Sequence, residues 1–462
     1  MFETLMRSRR FAPLFWCQFC SALNDNFLKN ALGMLILFGL GGATGGLGQN
    51  AGVLVTLSGI VFIAPFFLLS AIGGEVADRF DKARIARSIR LAEIPIAGIA
   101  AIGFFLHSVT ILFIALALFG IVAALFGPVK YGILPEKLET AELAAGNALV
   151  EGATFLAILA GTIAGGVAVA EAQSGVAVAL LVGLLALTSW GLARLIPEAG
   201  PAAPRLVIDF NPWTSTMGLL RELKADRRLW GGAHIVSWFW VVGFVSLSLL
   251  PTLIKEGIGG SEGVVTYCLS VFTVGIAVGS LLAARASRDR PNLALVPIGA
   301  LLIGAFALLA AWLAAVVVPE GNRIGPWAFV ASGNGVLVTV ALCGLAIAGG
   351  LFVVPAFAAV QAWAPVDRRA RVVAAVNVLN AAYMLAGGAV VAGLQSAGVA
   401  LSTLFATVAI VSFAYVPIVL RAWDRDVRQD LVRTFGRLAL ARRGDATIEV
   451  ARARGGGGDA SG

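Results

Sequence analysis

Five polar side chains interrupt an apolar run that extends over residues 11–40. They are Asn24, Asp25, Asn26, Lys29 and Asn30. About 20 apolar residues are enough to cross a bilayer, and an ionised side chain near its centre costs roughly 2.5–3.5 kcal/mol. We therefore expect Asp25 and Lys29, with the neighbouring amides, to face a protein-lined or watery passage. The alternative is an ion pair between these two residues, four apart on one helix face, that only holds the structure together.

The composition places most of the chain in lipid. Of 462 residues, 59% are hydrophobic and 13% are charged, and the mean hydropathy is +0.91. Soluble globular proteins carry about 25% charged residues. The predicted fold class is therefore an all-α membrane protein, and the length suits a large bundle of membrane-spanning helices.

The basic residues gather on one side of the membrane. They lie at Arg7–Arg10, Arg79–Arg90, Arg194–Arg228, Arg285–Arg290 and Arg368–Arg371 and in the tail from Arg421. The loops of the other side hold little more than Lys255 and Arg323. This asymmetry predicts a multi-pass protein with both termini in the cytoplasm. The net charge of +8 then serves topology and contact with anionic lipids, and we expect no nucleic-acid partner.

Twelve apolar runs are predicted to span the membrane, six on each side of a polar segment. They lie near residues 11–40, 51–77, 85–106, 109–133, 144–170, 174–196, 229–254, 264–286, 293–318, 335–363, 372–396 and 399–420. The predicted units are an N-terminal six-helix bundle (1–196), a cytoplasmic linker (197–228), a C-terminal six-helix bundle (229–422) and a basic cytoplasmic tail (423–462). Asn211-Pro212 predicts a short helix within the linker. The glycine-rich end of the tail is expected to be disordered.

The two halves resemble each other. Pro128, Pro135 and Asn147 of the first half correspond to Pro355, Pro365 and Asn377 of the second. The second proline and the asparagine are 12 residues apart in both halves, as the numbering shows. Duplicated six-helix halves indicate a transporter of the major facilitator type, in which the halves rock about a central site.

The segment Gly73–Arg84 resembles the major-facilitator signature, a glycine followed by an Asp-Arg pair and further basic residues. The matching residues are Gly74, Asp78, Arg79, Lys82 and Arg84. The resemblance implies a gating latch at the cytoplasmic face that stabilises the outward-facing state. We expect Gly74 to permit a close helix contact and Asp78 to pair with a basic residue or cap a helix. Asp81 replaces a glycine of the signature, and an ordinary cytoplasmic turn is the alternative.

Three further motifs resemble the bacterial lysophospholipid transporter branch of that superfamily, which includes transporters fused to acyltransferase and ligase domains. They are Ser21-Ala22-Leu23-Asn24-Asp25-Asn26, Phe126-Gly127-Pro128-Val129-Lys130-Tyr131-Gly132-Ile133-Leu134-Pro135-Glu136 and Gly146-Asn147-Ala148-Leu149-Val150-Glu151. The resemblance is strong over residues 11–170 and weaker through the second half. It implies a substrate with one acyl chain, a phosphodiester and, often, an ammonium head group.

This substrate suggests roles for the polar residues of the first half. Asp25 can receive an ammonium or a coupling ion, and Lys130, beside Tyr131, can bind a phosphate. Asn147 and Glu151 are four apart on one face of the fifth span. The alternatives are a lysine that only snorkels to the membrane surface and a pair that only packs helices.

The second half offers a mainly uncharged wall. Asn377 and Asn380 in the eleventh span are its candidate substrate contacts, and His234 in the seventh is a possible proton relay. The alternative for His234 is a packed, hydrogen-bonded histidine. We expect the first half to bind the head group and the second half the acyl chain.

The leading hypothesis is a monomeric transporter in a bacterial inner membrane. It would flip lysophospholipids towards cytoplasmic reacylation by a separate acyltransferase or ligase. A major-facilitator exporter of drugs or metabolites is the alternative. A membrane enzyme is excluded because neither His107 nor His234 has an Asp four residues later, and no zinc, nucleotide or serine-nucleophile motif is present. No cofactor or metal is expected.

Overall fold

A computed structural model describes residues 2–39, 51–138, 140–171, 176–201, 203–287, 291–317, 323–365 and 369–433. Its first half contains α1 (Phe2–Arg7), α2 (Ala12–Met34), α3 (Ala51–Arg79), α4 (Lys82–Phe105), α5 (Val109–Lys137), α6 (Thr140–Glu171) and α7 (Val176–Ala193). A linker helix, α8 (Pro212–Lys224), follows. The second half contains α9 (Arg227–Thr252), α10 (Glu262–Ser287), α11 (Leu295–Val316), α12 (Pro326–Ala331), α13 (Gly333–Trp363), α14 (Arg369–Ser396) and α15 (Leu401–Ala422).

Twelve of these described helices have 18 or more residues, six in each half. Ten of the twelve are long and apolar enough to cross a membrane. The other two are α2, which carries the polar run, and α6, whose searched apolar stretch is the shorter Leu156–Ala168. The prediction of an all-α membrane fold is confirmed.

The predicted pseudo-symmetry is confirmed by the packing of the helices. In the first half α2 packs on α6, α3 on α5 and α4 on α7. In the second half the corresponding helices pair in the same way: α9 packs on α14, α10 on α13 and α11 on α15. The halves meet through α3 on α14 and α6 on α10, which are equivalent pairs under the same correspondence.

We call the side on which α2 begins and α3 ends the basic face, and the other side the opposite face. Side-chain contacts between the halves lie nearer the opposite face. The Thr56 hydroxyl donates to Gln395 Oε1 at 2.8 Å, and the Lys255 ammonium donates to the Leu37 carbonyl. Gly166 touches Thr266 so closely that any side chain at Gly166 would overlap it. These contacts join the two halves near the opposite face.

The linker helix α8 lies across the basic face and joins both halves. Asn211 caps it, as predicted, by accepting from the backbone N–H groups of Trp213 and Thr214. Ser215 Oγ donates to Glu75 Oε1 of α3 at 2.8 Å, and Glu222 pairs with Arg371 of α14 at 3.0 Å. In the tail, residues 424–433 are helical; the glycine-rich end predicted to be disordered lies outside the described residues.

Candidate functional site

The polar run of the first span lies in a regular helix that fits tightly against α6. A Cβ atom at Gly161 would lie 2.7 Å from the Leu23 carbonyl oxygen, and one at Gly165 would lie 2.8 Å from that of Phe27. The two glycines, four residues apart, therefore allow α2 and α6 to pack backbone against backbone. This packing fixes which side chains of α2 point to α6 and which point elsewhere.

The amide side chains of α2 mostly form hydrogen bonds within the first bundle. Asn24 is fully buried, and its Nδ2 donates to the Val182 carbonyl of α7 at 3.3 Å. Asn30 Nδ2 donates to Thr162 Oγ1 of α6 at 3.1 Å, and Asn26 Oδ1 accepts from Lys29 Nζ at 3.3 Å. The expectation that Asn24 borders the passage is wrong, because its side chain is enclosed between α2 and α7. Asn26 and Lys29 are half-buried.

A buried ion pair lies directly behind the polar run. Arg90 and Glu93 of α4 are 1% and 0% exposed, and Arg90 Nη1 lies 2.9 Å from Glu93 Oε2. Ser21 of α2 joins them: it accepts from Arg90 Nη1 and donates to Glu93 Oε1 at 3.2 Å. The guanidinium carbon also lies 3.7 Å from the centre of the Phe126 ring of α5, a cation–π contact. One arginine therefore ties three helices together.

These residues surround Asp25 with charge. The half-buried Asp25 carboxylate interacts electrostatically with Glu93 and Arg90 of α4, with Lys29 of its own helix and with Lys130 of α5. We call Asp25, Lys29, Arg90, Glu93 and Lys130 the charged cluster. Ionised, it holds three positive and two negative charges. Such a group can bind both a phosphate and an ammonium.

The sequence interpretation missed Arg90 and Glu93, and its assignment of Arg90 to the cytoplasmic surface charges is wrong. Arg90 is eight residues inside α4, about 12 Å from the start of that helix at 1.5 Å per residue. The available signal was an opposite-charge pair with i, i+3 spacing inside a run already predicted to span the membrane.

Three other predicted contacts can be placed only by their helices. Tyr131 belongs to α5, and Asn147 and Glu151 belong to α6, but their side chains lie outside the described part of the structure. Lys130 is half-buried at the level of the charged cluster. The structure therefore joins Asp25, Lys29 and Lys130, and leaves the roles of the other three as predictions.

The predicted latch forms a corner between α3, α4 and the start of the linker. Asp81 caps α4 by accepting from the Arg84 backbone N–H, and its other oxygen accepts from Ala199 and Gly200 at 2.9 and 2.6 Å. Partial burial opposes ionisation, but these backbone hydrogen bonds prevail and hold the pKa of the Asp81 carboxyl below its usual range. Asp81, the residue that departs from the signature, thus makes the helix cap, whereas Asp78 pairs with a basic residue, Lys82, which is the other contact expected for it.

The predicted close helix contact at Gly74 is wrong. A Cβ atom at Gly74 would meet nothing within 4 Å, whereas one at Gly73 would lie 3.2 Å from the Leu125 backbone of α5. Neighbouring residues of a helix point in different directions, and here Gly73, not Gly74, faces α5.

Lys82 links the latch to the end of the fourth span. It is buried, and its Nζ lies 2.6 Å from Glu136 Oε1 and 3.6 Å from Asp78 Oδ1. Its aliphatic stem crosses Gly132, where a Cβ atom would lie 2.6 Å from Lys82 Cε. The glycine of the Lys130–Leu134 motif therefore makes room for the latch lysine. Glu136 was not assigned a role from the sequence.

The remaining latch cations bind the linker or lie on the surface. Arg84 and Arg87 both pair with Glu198, at 2.9 and 2.8 Å. Hydrogen bonds from Arg84 and then Arg87 hold the pKa of Glu198 below its usual range. The Arg79 guanidinium lies 5.5 Å from the Phe80 ring centre. These contacts of the latch lie within the first half and the linker.

In the second half, hydroxyls, amides and aromatic rings are packed together. His234 Nδ1 lies 2.7 Å from the Tyr383 hydroxyl, and the Tyr415 hydroxyl donates to the His234 carbonyl at 3.1 Å. Asn380 is buried and hydrogen-bonded to Ser237 at 2.7 Å. These contacts favour a packing role for His234 and Asn380.

Asn377 is exposed and lies 11 residues before Gly388, which packs against Ile60 of the first half. At 100° per residue, positions 377 and 388 share one helix face. Asn377 therefore faces the first half from a level nearer the basic face, as a residue lining a passage between the halves would.

A model of the Major Facilitator Superfamily matches residues 14–345, which is most of the chain. The chain belongs to the major facilitator superfamily. The sequence prediction of this superfamily is thereby confirmed, as is the two-bundle architecture.

Named transporters of other bacteria share parts of this sequence. A lysophospholipid transporter, LplT, of Enterobacter sp. (strain 638) is 33% identical over 237 residues, 49% of this chain and 55% of that protein. The protein of the same name from Shigella sonnei (strain Ss046) is 30% identical over 261 residues, 54% of this chain and 61% of that protein. The match thus spans a little over half the length of these curated relatives.

Solved structures of transporters share the fold over nearly the whole chain. A POT family transporter in complex with 5-aminolevulinic acid superposes with a TM-score of 0.68 at 15% identity, covering 89% of this chain and 95% of that one. A human organic anion transporter gives a TM-score of 0.64 at 16% identity, covering 88% and 99%. These structures establish the architecture alone.

Proposed function

We propose that this protein transports lysophospholipids across a bacterial inner membrane by alternating access. The observation that carries the proposal is the charged cluster, in which cations and carboxylates meet within the membrane at one level of the first bundle. A zwitterionic lysolipid head, such as lysophosphatidylethanolamine, carries a phosphate and an ammonium that complement such a cluster. The partial sequence match to named lysophospholipid transporters supports the same substrate class.

Lys130 and Lys29 are the proposed partners of the phosphate, and Asp25 is the proposed partner of the ammonium. A lysine acts on phosphate as a point charge and tolerates a range of approach directions. Asn26, Tyr131, Asn147 and Glu151 remain proposed contacts from the sequence. Asn377 would complete the wall from the second half, whose apolar and aromatic interior suits the acyl chain.

The direction of opening follows from the contacts between the halves. Those at Thr56, Gly166 and Lys255 close the opposite face, so the passage would open towards the basic face. The positive-inside rule makes the basic face cytoplasmic, with both termini on that side. In the alternate state these contacts would break, and the corner at Asp78 and Asp81 would act as the latch.

We further propose that the protein functions as a monomer and is not itself an enzyme. A separate cytoplasmic acyltransferase or ligase would consume the delivered lysolipid. Removal of the substrate at the basic face would then favour continued net transport.

The proposal is tested by uptake of labelled lysophosphatidylethanolamine into spheroplasts that express the protein. We expect uptake above that of cells lacking it and a loss of at least tenfold in Asp25→Ala. Glu3→Gln, which removes an exposed carboxylate of α1, is the matched control and should transport normally. Equal transport by Asp25→Ala and wild type would refute the role of Asp25.

The alternative function is export of drugs or metabolites by the same fold. Its support is the superfamily membership and the structural likeness to an organic anion transporter. Measurable drug efflux without uptake of any lysolipid would favour this alternative.

A further inference from the structure

We propose that a groove at the latch corner binds an anionic phospholipid of the leaflet on the basic face. The groove has a volume of about 520 Å³ and lies where α3 ends and α4 begins. The inference concerns a lipid of the surrounding membrane, so it does not depend on which molecule the protein transports. We call the groove the corner groove, and the residues that define it are Arg79, Phe80, Arg84, Ile85, Ser88 and Glu198.

The corner groove lies at the depth of the lipid head groups. The 24 residues of α4 extend over about 36 Å at 1.5 Å per residue, whereas the hydrocarbon core of a bilayer is about 30 Å thick. The ends of α4 therefore reach into the head-group layers. Arg84 belongs to the first turn of α4, so its guanidinium lies among the head groups of the leaflet on the basic face.

One face of α4 leads from the corner groove into the hydrocarbon layer. Five exposed residues share this face, at intervals of three, four or seven positions: Arg84, Ser88, Leu91, Pro95 and Ile102. Leu91 and Ile102 are 51% and 54% exposed, as expected of side chains that face lipid. A phospholipid whose head group occupies the groove can therefore lay an acyl chain along this face.

The charges at the corner groove favour an anion. The Asp81 carboxylate accepts from backbone N–H groups, and Glu198 pairs with both Arg84 and Arg87. Arg79 pairs with no carboxylate in the part of the chain that the structure describes. Its guanidinium lies only against the neighbouring aromatic ring. The three arginines and two carboxylates leave one positive charge uncompensated, and it is carried by Arg79.

The donors and the apolar wall of the groove suit the two parts of a phospholipid. Glu198 accepts from the Nε and one terminal nitrogen of Arg84, so among the described residues the other terminal nitrogen remains for a ligand. A planar guanidinium matches the geometry of phosphate oxygens, and Arg79 presents a second one. Phe80 and Ile85 line the apolar wall, against which the first carbons of an acyl chain can pack.

The test is native mass spectrometry of the purified full-length protein in equal amounts of phosphatidylglycerol and phosphatidylcholine with identical acyl chains. We expect wild type to retain phosphatidylglycerol in preference to phosphatidylcholine. Arg79→Gln should reduce this preference by about fivefold or more, since it removes the uncompensated cation. Arg7→Gln, which removes an exposed arginine of α1 on the same face of the protein, is the matched control and should keep the preference of wild type.

A second pair of variants tests the shape of the groove without changing its charge. Ser88→Trp fills the groove and should reduce the retained phosphatidylglycerol as Arg79→Gln does. Ile102→Trp places the same ring at the far end of the same face of α4 and should retain the lipid as wild type does. Both positions are exposed, so neither substitution disturbs the packing of the helices.

Equal retention of phosphatidylglycerol by wild type, Arg79→Gln and Ser88→Trp would overturn the proposal. Equal retention of the two lipids by wild type would overturn the preference for an anionic head group. Displacement of bound phosphatidylglycerol by an equal concentration of soluble glycerophosphate would assign the groove to free phosphate compounds and overturn its assignment to a lipid. None of these results bears on the transport of lysophospholipids, so the proposed function stands or fails separately.

Discussion

The first bundle holds ionised side chains in its interior, whereas the described interior of the second holds hydroxyls, amides and aromatic rings. In the first, Arg90 and Glu93 lie behind Asp25. In the second, the interface between α9 and α14 contains the pairs His234–Tyr383 and Ser237–Asn380. Two bundles with the same packing scheme therefore differ in that one interior is charged and the other mainly uncharged. An amphiphile, with a charged head and an apolar chain, is the substrate class that we propose for such a pair of walls.

The halves also share a structural device at the basic face. In the first half, Asp81 before α4 accepts from Ala199 and Gly200, which follow α7. In the second, the Leu293 N–H before α11 donates to Asp430, which follows α15. Each half thus ties the loop between its second and third spans to the segment after its sixth. The pseudo-symmetry therefore extends to these loops.

The largest difference in stability between the two bundles should come from Glu93→Ala. It leaves Arg90 buried without its counter-ion, which should reduce the free energy of unfolding by about 3–5 kcal/mol. Glu262→Ala, which breaks a more exposed ion pair with Arg323 in the second half, should cost less than about 1 kcal/mol. Thermal unfolding of both purified variants measures their losses of stability. Equal losses in Glu93→Ala and Glu262→Ala would contradict the expected difference.

The second-largest effect is expected on the opening of the passage, which depends on the contact between the halves at Gly166. Gly166→Val would overlap Thr266 and disfavour closure of the opposite face, so the passage should open less often to the basic face. The rate of maleimide labelling of Asn377→Cys, in a chain whose four native cysteines are replaced by alanine, should fall several-fold. Gly183→Val is the matched control, because a Cβ atom there meets nothing within 4 Å. Faster labelling in the Gly166 variant would show that the opposite-face contacts do not control opening.

A smaller effect is expected from Tyr383→Phe in the second half. It removes the hydroxyl 2.7 Å from His234 Nδ1 and should cost about 1 kcal/mol of stability. The ratio of uptake for ethanolamine and glycerol head groups should stay that of wild type, since this wall is assigned to the acyl chain. A changed head-group ratio would contradict the assignment of the head group to the first half and of the acyl chain to the second. Competitive uptake of the two labelled lysolipids measures that ratio.

The smallest effect is expected at the latch corner, from Asp81→Asn. Loss of the charged cap should cost about 1 kcal/mol. Because the folded pKa of Asp81 lies below its unfolded value, its contribution is complete above about pH 4 and is lost as the pH falls through the folded pKa. The gap in melting temperature between wild type and variant should therefore be constant from pH 5 to 8 and narrow in acid. The exposed Asp78→Asn serves as control, and a gap that widens in acid would contradict the assignment.

The sequence was sufficient for the architecture because hydropathy and loop charge follow from the bilayer itself. The prediction of duplicated halves from Pro135, Asn147 and their counterparts is confirmed by the matching helix pairs. The site was only partly predictable. Asp25 and Lys29 were found because a charge inside an apolar run is costly, yet Arg90 carries the same signal and was assigned to the surface because basic residues precede it.

Other errors came from rotation about a helix axis, which spacing alone does not determine. Asn24 turns towards α7, and the close contact falls at Gly73 and not Gly74. The helix cap at Asp81 was not foreseen because α4 begins at Lys82, a boundary that a charged loop does not reveal. Glu136 could not be assigned before its distance to Lys82 was known.

The central claim is that Asp25 of the charged wall receives the ammonium of the substrate. It is tested most directly by transport of lysophosphatidylethanolamine and lysophosphatidylglycerol, measured side by side in proteoliposomes of wild type and Asp25→Asn. The account predicts that Asp25→Asn lowers the uptake of the ethanolamine lipid at least tenfold relative to the glycerol lipid, equivalent to about 1.4 kcal/mol of lost discrimination. An unchanged ratio between the two lipids would contradict it.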